Sequence, residues 1–437
     1  MLMVNETTNL LSAGFREDMK ELAKKTKDPS LAIEEGYPIL IPTTFTPFDY
    51  KNGMMVDLTT VDEKFHYTYP TAGLGSGSMV MFIGLNGSGK TALAIQMATS
   101  IVGRFKNSIV IHDDLEKGTN KMRVKLLSGW SSAMIESKYI LRSRSSTSNN
   151  FKQSIFTHIK RKLELVDQYP DEMTYFTGTY DVYGKPVYEI IPSVYILDSL
   201  PMLQDVDNDE KAFMNMTNMD GARNAKTNAD IFKKVVPLLG KANVLLFVIN
   251  HINNKIEANP FSHTQAQNNY LGQNESIVGG NTPLYLANNV IKVVTSDKLT
   301  EEKNPYGTFT GWHSKLKLIK SRSNRAGLEA NLLYNQEYGY DRILSTYEML
   351  KDNGMVQGAG RSYYLEGLPN IKFSQKQFLS KMEDSLVMRQ CFKELTAHVG
   401  NEFLSGNTKN AVEETEEEMK ARMDAFAESL KYDLMSA

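Results

Sequence analysis

A glycine-rich stretch, GLNGSGKT at 84–91, has the residue types and the spacing needed to hold a phosphate group. It fits the pattern G-x-x-x-x-G-K-[ST], with an apolar run before it and a helix-like run after it. Glycines let successive backbone N–H groups turn towards a β-phosphate, and the positive end of the following helix adds to the attraction. Lys90 would reach the β/γ-phosphate oxygens, and the Thr91 hydroxyl would ligate Mg²⁺. The stretch predicts a nucleotide site, and the alternative is a strand-to-helix turn without a ligand. The predicted site is formed by Gly84, Leu85, Asn86, Gly87, Ser88, Gly89, Lys90 and Thr91.

Carboxylates follow two predicted buried strands. The run at 108–111 leads into HDDLEKG at 112–118, and the run SVYILD ends in Asp198. Ligands of doubly wound folds bind at the carboxyl edge of the sheet, so these acids are expected beside the phosphate loop. An acid at the end of such a strand is well placed for the Mg²⁺ side of a nucleotide. Ser199, the next residue, could sense the γ-phosphate.

The segments around these residues alternate between strand-like and helix-like patterns. This alternation predicts an α/β fold with a mostly parallel, twisted sheet and right-handed crossovers. The 437 residues are 41 % hydrophobic and 23 % charged, which is typical of a soluble protein. The single Cys391 excludes an internal disulfide and favours a reducing cytosol, and no apolar run is long enough to span a membrane. Because the formal charge is only −2, any DNA site must be a local patch.

Three regions are predicted along the chain. Residues 1–37 form an N-terminal helical segment that could dock on its own domain or on a neighbouring subunit. Residues 38–336 form the core, with a β-hairpin insertion at 169–191 around the sequence YGKP. Residues 337–437 form a predominantly helical region that includes an acidic run at 413–418, and the seven histidines form no zinc-type cluster with Cys391.

The order of these pieces resembles the RecA family of recombinases, and within it the UvsX-like recombinases of tailed phages. The likeness covers about residues 76–360 and implies a RecA-like P-loop ATPase core, ATP and Mg²⁺ as cofactors, and a phage-type genome as the source. It is carried by GLNGSGKT (84–91), DLEKG (114–118), YILDS (195–199), VINH (248–251), GGNTPLYLANNV (279–290), KLKLIKSRS (315–323) and EYGYDRILSTYEMLKDNGMV (337–356).

The resemblance also implies roles for the polar residues at the strand ends. Glu116 is similar to the glutamate that positions or activates the attacking water, with Asp113 and Asp114 as alternatives if the strand is shifted by one residue. Asp198 would be the acid on the Mg²⁺ side, together with Thr91. His251 falls where the family has a polar sensor of the γ-phosphate, although a polar residue that only caps a strand is the alternative.

Three basic residues complete the expected ATP site. Lys320 and Arg322 are two positions apart on a predicted strand, so they point to one face. The resemblance implies that they reach the ATP of the neighbouring subunit as arginine fingers do, against the alternative of a solvated basic edge. Arg123 falls near the place of the family's aromatic residue over the adenine, which is a departure from the family pattern.

Two polar loops match the family's DNA-binding loops. These are residues 205–218 and residues 252–279, and the second loop has no regular periodicity. For its aromatic residues, local packing is the alternative to base stacking. The candidate DNA-binding residues are Asn253, Asn254, Lys255, Phe261, Tyr270, Gly279, Gly280 and Asn281.

Together these features predict a DNA-dependent ATPase that forms filaments on single-stranded DNA and pairs it with homologous duplex, in recombination, repair and replication. The alternatives are a hexameric replicative helicase with the same core and a non-catalytic paralogue that regulates a filament. The expected partners are single- and double-stranded DNA, further copies of the chain, and single-strand-binding and mediator proteins. The expected compartment is the cytoplasm, which would be the host's for a phage protein, with no membrane association.

Overall fold

A sheet of ten strands is the centre of the computed structural model, which describes residues 17–19, 21, 22, 25, 39–60, 64–143, 147–203, 218–254, 271–272, 275–300, 302–307 and 309–407. Its central strands are short apolar runs, such as MVMFIG and SVYILD, that are buried along their whole length. This is the pattern of strands that helices cover on both faces. The class of the fold, mixed α/β, is therefore confirmed.

The strands of the described residues are β1 (Leu40–Ile41), β2 (Met54–Thr59), β3 (His66–Thr71), β4 (Leu74–Gly75), β5 (Met79–Gly84), β6 (Val110–Asp114), β7 (Tyr139–Arg142), β8 (Thr174–Tyr180), β9 (Pro186–Ile190), β10 (Ser193–Asp198), β11 (Val244–Asn254), β12 (Glu275–Ile277), β13 (Asn289–Leu299), β14 (Gly311–Ser321), β15 (Leu328–Asn335), β16 (Gly339–Asp341), β17 (Val356–Ala359) and β18 (Ser362–Leu365). The α-helices are α1 (Thr46–Lys51), α2 (Lys90–Gly103), α3 (Lys121–Ser128), α4 (Ser132–Lys138), α5 (Ser148–Gln168), α6 (Pro170–Met173), α7 (Asn218–Leu239), α8 (Thr282–Leu286), α9 (Arg342–Asp352), α10 (Phe378–Asp384) and α11 (Leu386–Asn407).

The central sheet is mixed rather than mostly parallel. Its order is β16-β15-β14-β13-β5-β11-β10-β6-β7, with β12 paired to β11. The strands from β13 through β5, β11, β10 and β6 to β7 pair in parallel, whereas β14, β15, β16 and β12 are added antiparallel. The segments 322–327 and 336–338 that join the added strands are too short for a parallel crossover. The prediction of a mostly parallel sheet is therefore correct for the centre and wrong for this side.

Alternate residues of the central strands pack on opposite faces of the sheet. Val80 and Phe82 of β5 join one hydrophobic cluster with α2, α3 and α4, while Met79, Met81 and Ile83 join a second cluster with α5 and α7. This is the two-residue period of a strand that is buried on both sides. The same alternation decides which polar residues at the strand ends point towards the phosphate loop.

Small hairpins and a third core surround the central sheet. An antiparallel hairpin of β8 and β9 occupies the region of the predicted insertion. Residues 337–407 are not uniformly helical, because β16 extends the central sheet beyond the predicted boundary and β17 pairs with β18. Helices α9, α10 and α11 pack around a cluster that contains Tyr347, Phe378 and the buried, free Cys391.

The outer parts of the chain give less information. Residues 17–19, 21, 22 and 25 of the predicted N-terminal segment are helical, and the rest of residues 1–37 lies outside the described part, as does the acidic run at 413–418. Among the described residues, every helix is too short or too polar to cross a lipid bilayer.

One buried glutamine links the edge strand β16 to the helix that follows the phosphate loop. Gln96 of α2 accepts a hydrogen bond from the Tyr340 backbone N–H at 2.7 Å and donates to the Tyr340 carbonyl at 3.1 Å. Its side chain is 2 % exposed, so both backbone groups depend on it in place of water. The Tyr340 ring in turn packs beside Gly89 of the loop.

We expect Gln96→Leu to lower the free energy of unfolding by about 2–4 kcal/mol, because it leaves two buried backbone groups unpaired. Urea denaturation followed by tryptophan fluorescence measures this change. Gln153→Leu on the exposed side of α5 is the matched control and should be close to wild type. Equal stability losses in the two variants would contradict this role of Gln96.

Candidate active site

The carboxyl ends of β5, β6, β10 and β11 surround a cavity of about 300 Å³. This volume is at the lower end of the range for small-molecule sites. The cavity brings together many of the predicted site residues, namely Asn86, Gly87, Ser88, Gly89, Lys90, Thr91, Glu116, Arg123, Asp198 and His251. Among the described residues, Lys320, Arg322 and the DNA-binding candidates Asn253, Gly279, Gly280 and Asn281 do not line it.

The predicted phosphate loop forms the floor of the cavity. Gly87 and Gly89 have φ angles of 73° and 88°, a region that side chains with a Cβ rarely adopt. A Cβ at Gly89 would also approach the Tyr340 hydroxyl to 2.7 Å. The Ser88 hydroxyl is buried and has no hydrogen-bond partner among the described residues, so the loop retains unused polar capacity beside the cavity.

Gly84 and Leu85, at the start of the loop, line a second cavity, and Ser88 lines both cavities. The second cavity has a volume of about 320 Å³ and is also lined by Glu275 of β12 and Lys292 of β13. The amino group of Lys292 bonds the Glu275 carboxylate at 2.5 Å. The start of the phosphate loop is thus close to the strand that ends the predicted second DNA loop.

Lys90 supplies the cation of the loop. Its amino group donates to the carbonyl oxygens of Leu85 and Gly84 at 2.7 and 3.1 Å, and the residue is 4 % exposed. Burial lowers the pKa of Lys90 from 10.5 to about 8, although the negative charges of Asp198 and Glu116 act in the opposite direction. A bound phosphate would favour the charged form.

Thr91 and Asp198 meet across the cavity, and their donor set fits Mg²⁺. The Thr91 hydroxyl donates to Asp198 Oδ2 at 2.8 Å, and the buried Asp198 Oδ1 has no hydrogen-bond partner among the described residues. Mg²⁺ prefers oxygen ligands and is commonly held by one or two carboxylates together with phosphate oxygens. Within the described part of the chain, no cluster of three or more His, Cys, Asp or Glu residues could hold a metal without such help.

The alternation of β6 places Asp113 and Asp114, two of the three candidate carboxylates, on opposite faces of the sheet. Asp113 points to the α5 face, where Arg142 Nε and the Tyr195 hydroxyl bond it, each at 2.5 Å. Asp114 points to the cavity side, but it accepts hydrogen bonds from the backbone N–H groups of Gly118 and Thr119 at 3.1 and 2.7 Å. Both aspartates are therefore engaged in structural contacts.

Glu116 follows β6 and enters the cavity. Its Oε1 is 2.7 Å from His251 Nε2 and also accepts a hydrogen bond from the Ser199 hydroxyl. His251 lies near the end of β11 in register with Gly84 of the phosphate loop. The geometry thus groups Glu116, His251 and Ser199, whereas Asp113 and Asp114 have other hydrogen-bond partners.

Arg123 also lines the cavity. It donates to the Glu337 carbonyl at 2.7 Å and to the Tyr334 hydroxyl at 3.1 Å. Tyr334 also lines the cavity and stacks on Trp312, with ring centroids 4.1 Å apart. Sequence patterns do not predict Tyr334 as a site residue, because its only signal is an aromatic residue at the end of a strand far from the loop in sequence.

His112 is a second residue whose position the HDDLEKG pattern alone does not predict. It is completely buried on the cavity side of β6, with Nδ1 2.8 Å from the Tyr139 hydroxyl and Nε2 3.9 Å from Asp198 Oδ2. Burial is the main reason why the pKa of Tyr139 is raised, so its hydroxyl keeps its proton.

Lys320 and Arg322 lie close together outside the cavity. The Lys320 amino group donates to the carbonyls of Leu284 and Tyr285, and Arg322 donates to the Tyr285 carbonyl at 3.0 Å. Both are thus at the end of α8, and Arg322 follows the last residue of β14. Burial lowers the pKa of Lys320 to about 8, and the charge of Arg322 acts in the same direction.

The candidate DNA-binding residues are only partly within the described chain. Asn253 and Asn254 extend β11 beyond its parallel neighbours β5 and β10 and pair with β12. Gly279, Gly280 and Asn281 form the turn that leads into α8. Lys255, Phe261 and Tyr270 lie outside the described residues, as does most of the loop at 205–218.

Comparison with models of protein families finds no match for this chain, and a search of curated proteins finds none either. The interpretation of the cavity therefore depends on its geometry and on the likeness of its motifs.

The pKa of Lys90 predicts how nucleotide affinity depends on pH. As the pH rises through about 8, the free protein loses the Lys90 charge. We therefore expect affinity for a fluorescent ATP analogue to fall by up to about tenfold per pH unit above this point. Arginine stays charged in this range, so Lys90→Arg should show a flatter profile between pH 7 and 9.5. The same slope in both proteins would contradict this assignment.

Proposed function

We propose that this chain has a RecA-like P-loop core and is a DNA-dependent ATPase that assembles on single-stranded DNA for homologous pairing. The observation that carries the proposal is the single cavity that joins the phosphate loop, the Thr91–Asp198 pair and the Glu116–His251 pair. Each pair matches a separate requirement of ATP hydrolysis, namely metal binding and the placement of water.

The loop and its two partners would hold Mg²⁺ and ATP. Lys90 and the loop N–H groups would bind the β- and γ-phosphates, while Thr91 and Asp198 would provide oxygen ligands on the metal side. Bound Mg²⁺ supplies neutralisation of the charge that develops on the phosphates. Arg123 and Tyr334, which also line the cavity, would offer a guanidinium plane and an aromatic ring for the base.

Glu116 is the residue best placed to act on water. As a carboxylate it would accept a proton from the attacking water, while Ser199 and His251 hold Oε1 and so fix the orientation of the group. Asp113 and Asp114 are committed to other contacts, which leaves Glu116 as the acid of this strand end for catalysis.

The Glu116–His251 contact suggests how DNA would control hydrolysis. His251 is in the part of β11 that continues to Asn254, where the predicted second DNA loop departs. DNA bound to that loop would shift the end of β11 and with it the side chain that bonds Glu116. The likeness to the recombinases supports DNA as the ligand of this loop.

The positions of Lys320 and Arg322 favour assembly of several subunits. Both side chains bond carbonyls at the end of α8 and do not line the cavity of their own chain. A second subunit packed in the manner of a helical filament would bring them to its neighbour's ATP. Hydrolysis would then require a completed interface.

We expect Glu116→Gln to retain ATP binding and to lower turnover by about 10²-fold or more, the usual scale for loss of a general base. Asp113→Asn is the matched control, because its carboxylate bonds Arg142 and Tyr195 on the other face of the sheet. Asp113→Asn should lower the free energy of unfolding but reduce turnover much less than Glu116→Gln does. Unchanged turnover in Glu116→Gln, measured by phosphate release, would reject this role.

Mixing two inactive variants tests the interface. Lys90→Ala should abolish turnover at the variant subunit's own cavity. Arg322→Ala should abolish turnover at the cavity of the neighbouring subunit. In an equal mixture, about a quarter of head-to-tail interfaces would pair an intact cavity with an intact Arg322. Turnover above the sum of the separate variants supports the shared site. No rescue, with co-assembly shown by sedimentation, would rule it out.

A further inference from the structure

A buried row of polar side chains crosses three strands behind the candidate metal site. It runs from Tyr139 of β7 through His112 of β6 to Asp198 of β10, and the three residues are 4 %, 0 % and 3 % exposed. The apolar neighbours of this face, such as Val110 and Ile196, belong to a hydrophobic cluster. Polar groups in such surroundings are costly unless they are paired, so the row requires an explanation.

The Tyr139 contact selects one tautomer of His112. The tyrosine hydroxyl is 2.8 Å from Nδ1, while Nε2 has no hydrogen-bond partner among the described residues and is 3.9 Å from Asp198 Oδ2. If Tyr139 accepted a hydrogen bond from Nδ1, the lone pair of Nε2 would face the carboxylate and repel it. If Tyr139 donates, Nε2 carries the proton and faces an acceptor.

Asp198 lacks a hydrogen-bond donor to one of its two carboxylate oxygens among the described residues. Its Oδ2 accepts a hydrogen bond from Thr91, and its buried Oδ1 has no hydrogen-bond partner in the described part of the chain. The separation of 3.9 Å is longer than the usual value of about 3 Å for a hydrogen bond. A small rotation of the Asp198 carboxylate would shorten this distance to that of a hydrogen bond.

We propose that His112 is a positioning residue that donates its Nε2 proton to Asp198 and so holds the carboxylate in the orientation that binds Mg²⁺. This inference rests on the proposed nucleotide and metal site. Tyr139 acts through His112 by fixing its tautomer. The hydrogen bond from His112 to Asp198 would then favour one orientation of the carboxylate.

The test measures Mg²⁺ dependence without turnover. A non-hydrolysable fluorescent ATP analogue is titrated into the full-length protein at increasing Mg²⁺, and the half-saturating Mg²⁺ concentration is recorded. The double variant His112→Phe/Tyr139→Phe removes both polar partners together, so no buried group is left unpaired between them. We expect its half-saturating Mg²⁺ concentration to rise by about tenfold or more, while binding in EDTA stays at the wild-type level.

Three further variants separate positioning from a purely structural role. Tyr139→Phe keeps the histidine and should give a smaller rise in the same direction. His112→Gln keeps an N–H donor near the position of Nε2 and should restore most of the Mg²⁺ affinity. His158→Phe is the matched control. His158 lies on α5 and its Nε2 is 2.8 Å from Ser193 Oγ, so this variant should leave the Mg²⁺ dependence unchanged.

Wild-type Mg²⁺ dependence in the double variant, or in Tyr139→Phe if the double variant does not fold, would overturn the assignment of His112 alone. Nucleotide binding by the wild-type protein that does not respond to Mg²⁺ would overturn the metal site and the role of His112 with it.

Discussion

The parallel alignment of β5, β6, β10 and β11 is the constraint on which the rest of the site depends. In this register Asp198 lies beside Asp114, and His251 lies beside Gly84 of the loop. Because Leu197 pairs with Val248, β11 extends beyond the end of β10. Glu116, which follows β6, therefore contacts His251 beyond Asp198 along the strand direction. Four strand ends thus place the proposed metal ligand Asp198 and the proposed catalytic acid Glu116 beside the phosphate loop.

Local sequence patterns were sufficient for much of this site. The GLNGSGKT loop and the buried runs before Asp114 and Asp198 carry their chemistry within short windows, and the alternation of a strand then explains why Asp113 points away from the cavity. Sequence alone left Asp113, Asp114 and Glu116 as rivals. Their separation required knowledge of Arg142 and Tyr195, whose contacts with Asp113 join residues distant in the chain.

Other features depend on contacts that no local pattern encodes. Tyr334 reaches the cavity because β14, β15 and β16 extend the sheet antiparallel, and a period-2 pattern does not specify the neighbour of a strand. His112 gains its importance from Tyr139 on the next strand and from Asp198, more than eighty positions later in the sequence. The β17–β18 hairpin was likewise hidden between two helical stripes. The residues that hold the site in place were thus harder to predict than the residues that would touch the nucleotide.

In the proposed mechanism, one cavity couples ATP hydrolysis to DNA through the Glu116–His251 contact. The most direct measurement is the rate of ATP turnover by the purified full-length chain with and without single-stranded DNA, at saturating Mg²⁺ and at two salt concentrations. This coupling predicts turnover that rises with single-stranded DNA, with a smaller rise at high salt, where phosphate contacts are weaker. Turnover that is absent, or equal with and without DNA at both salt concentrations, would contradict it.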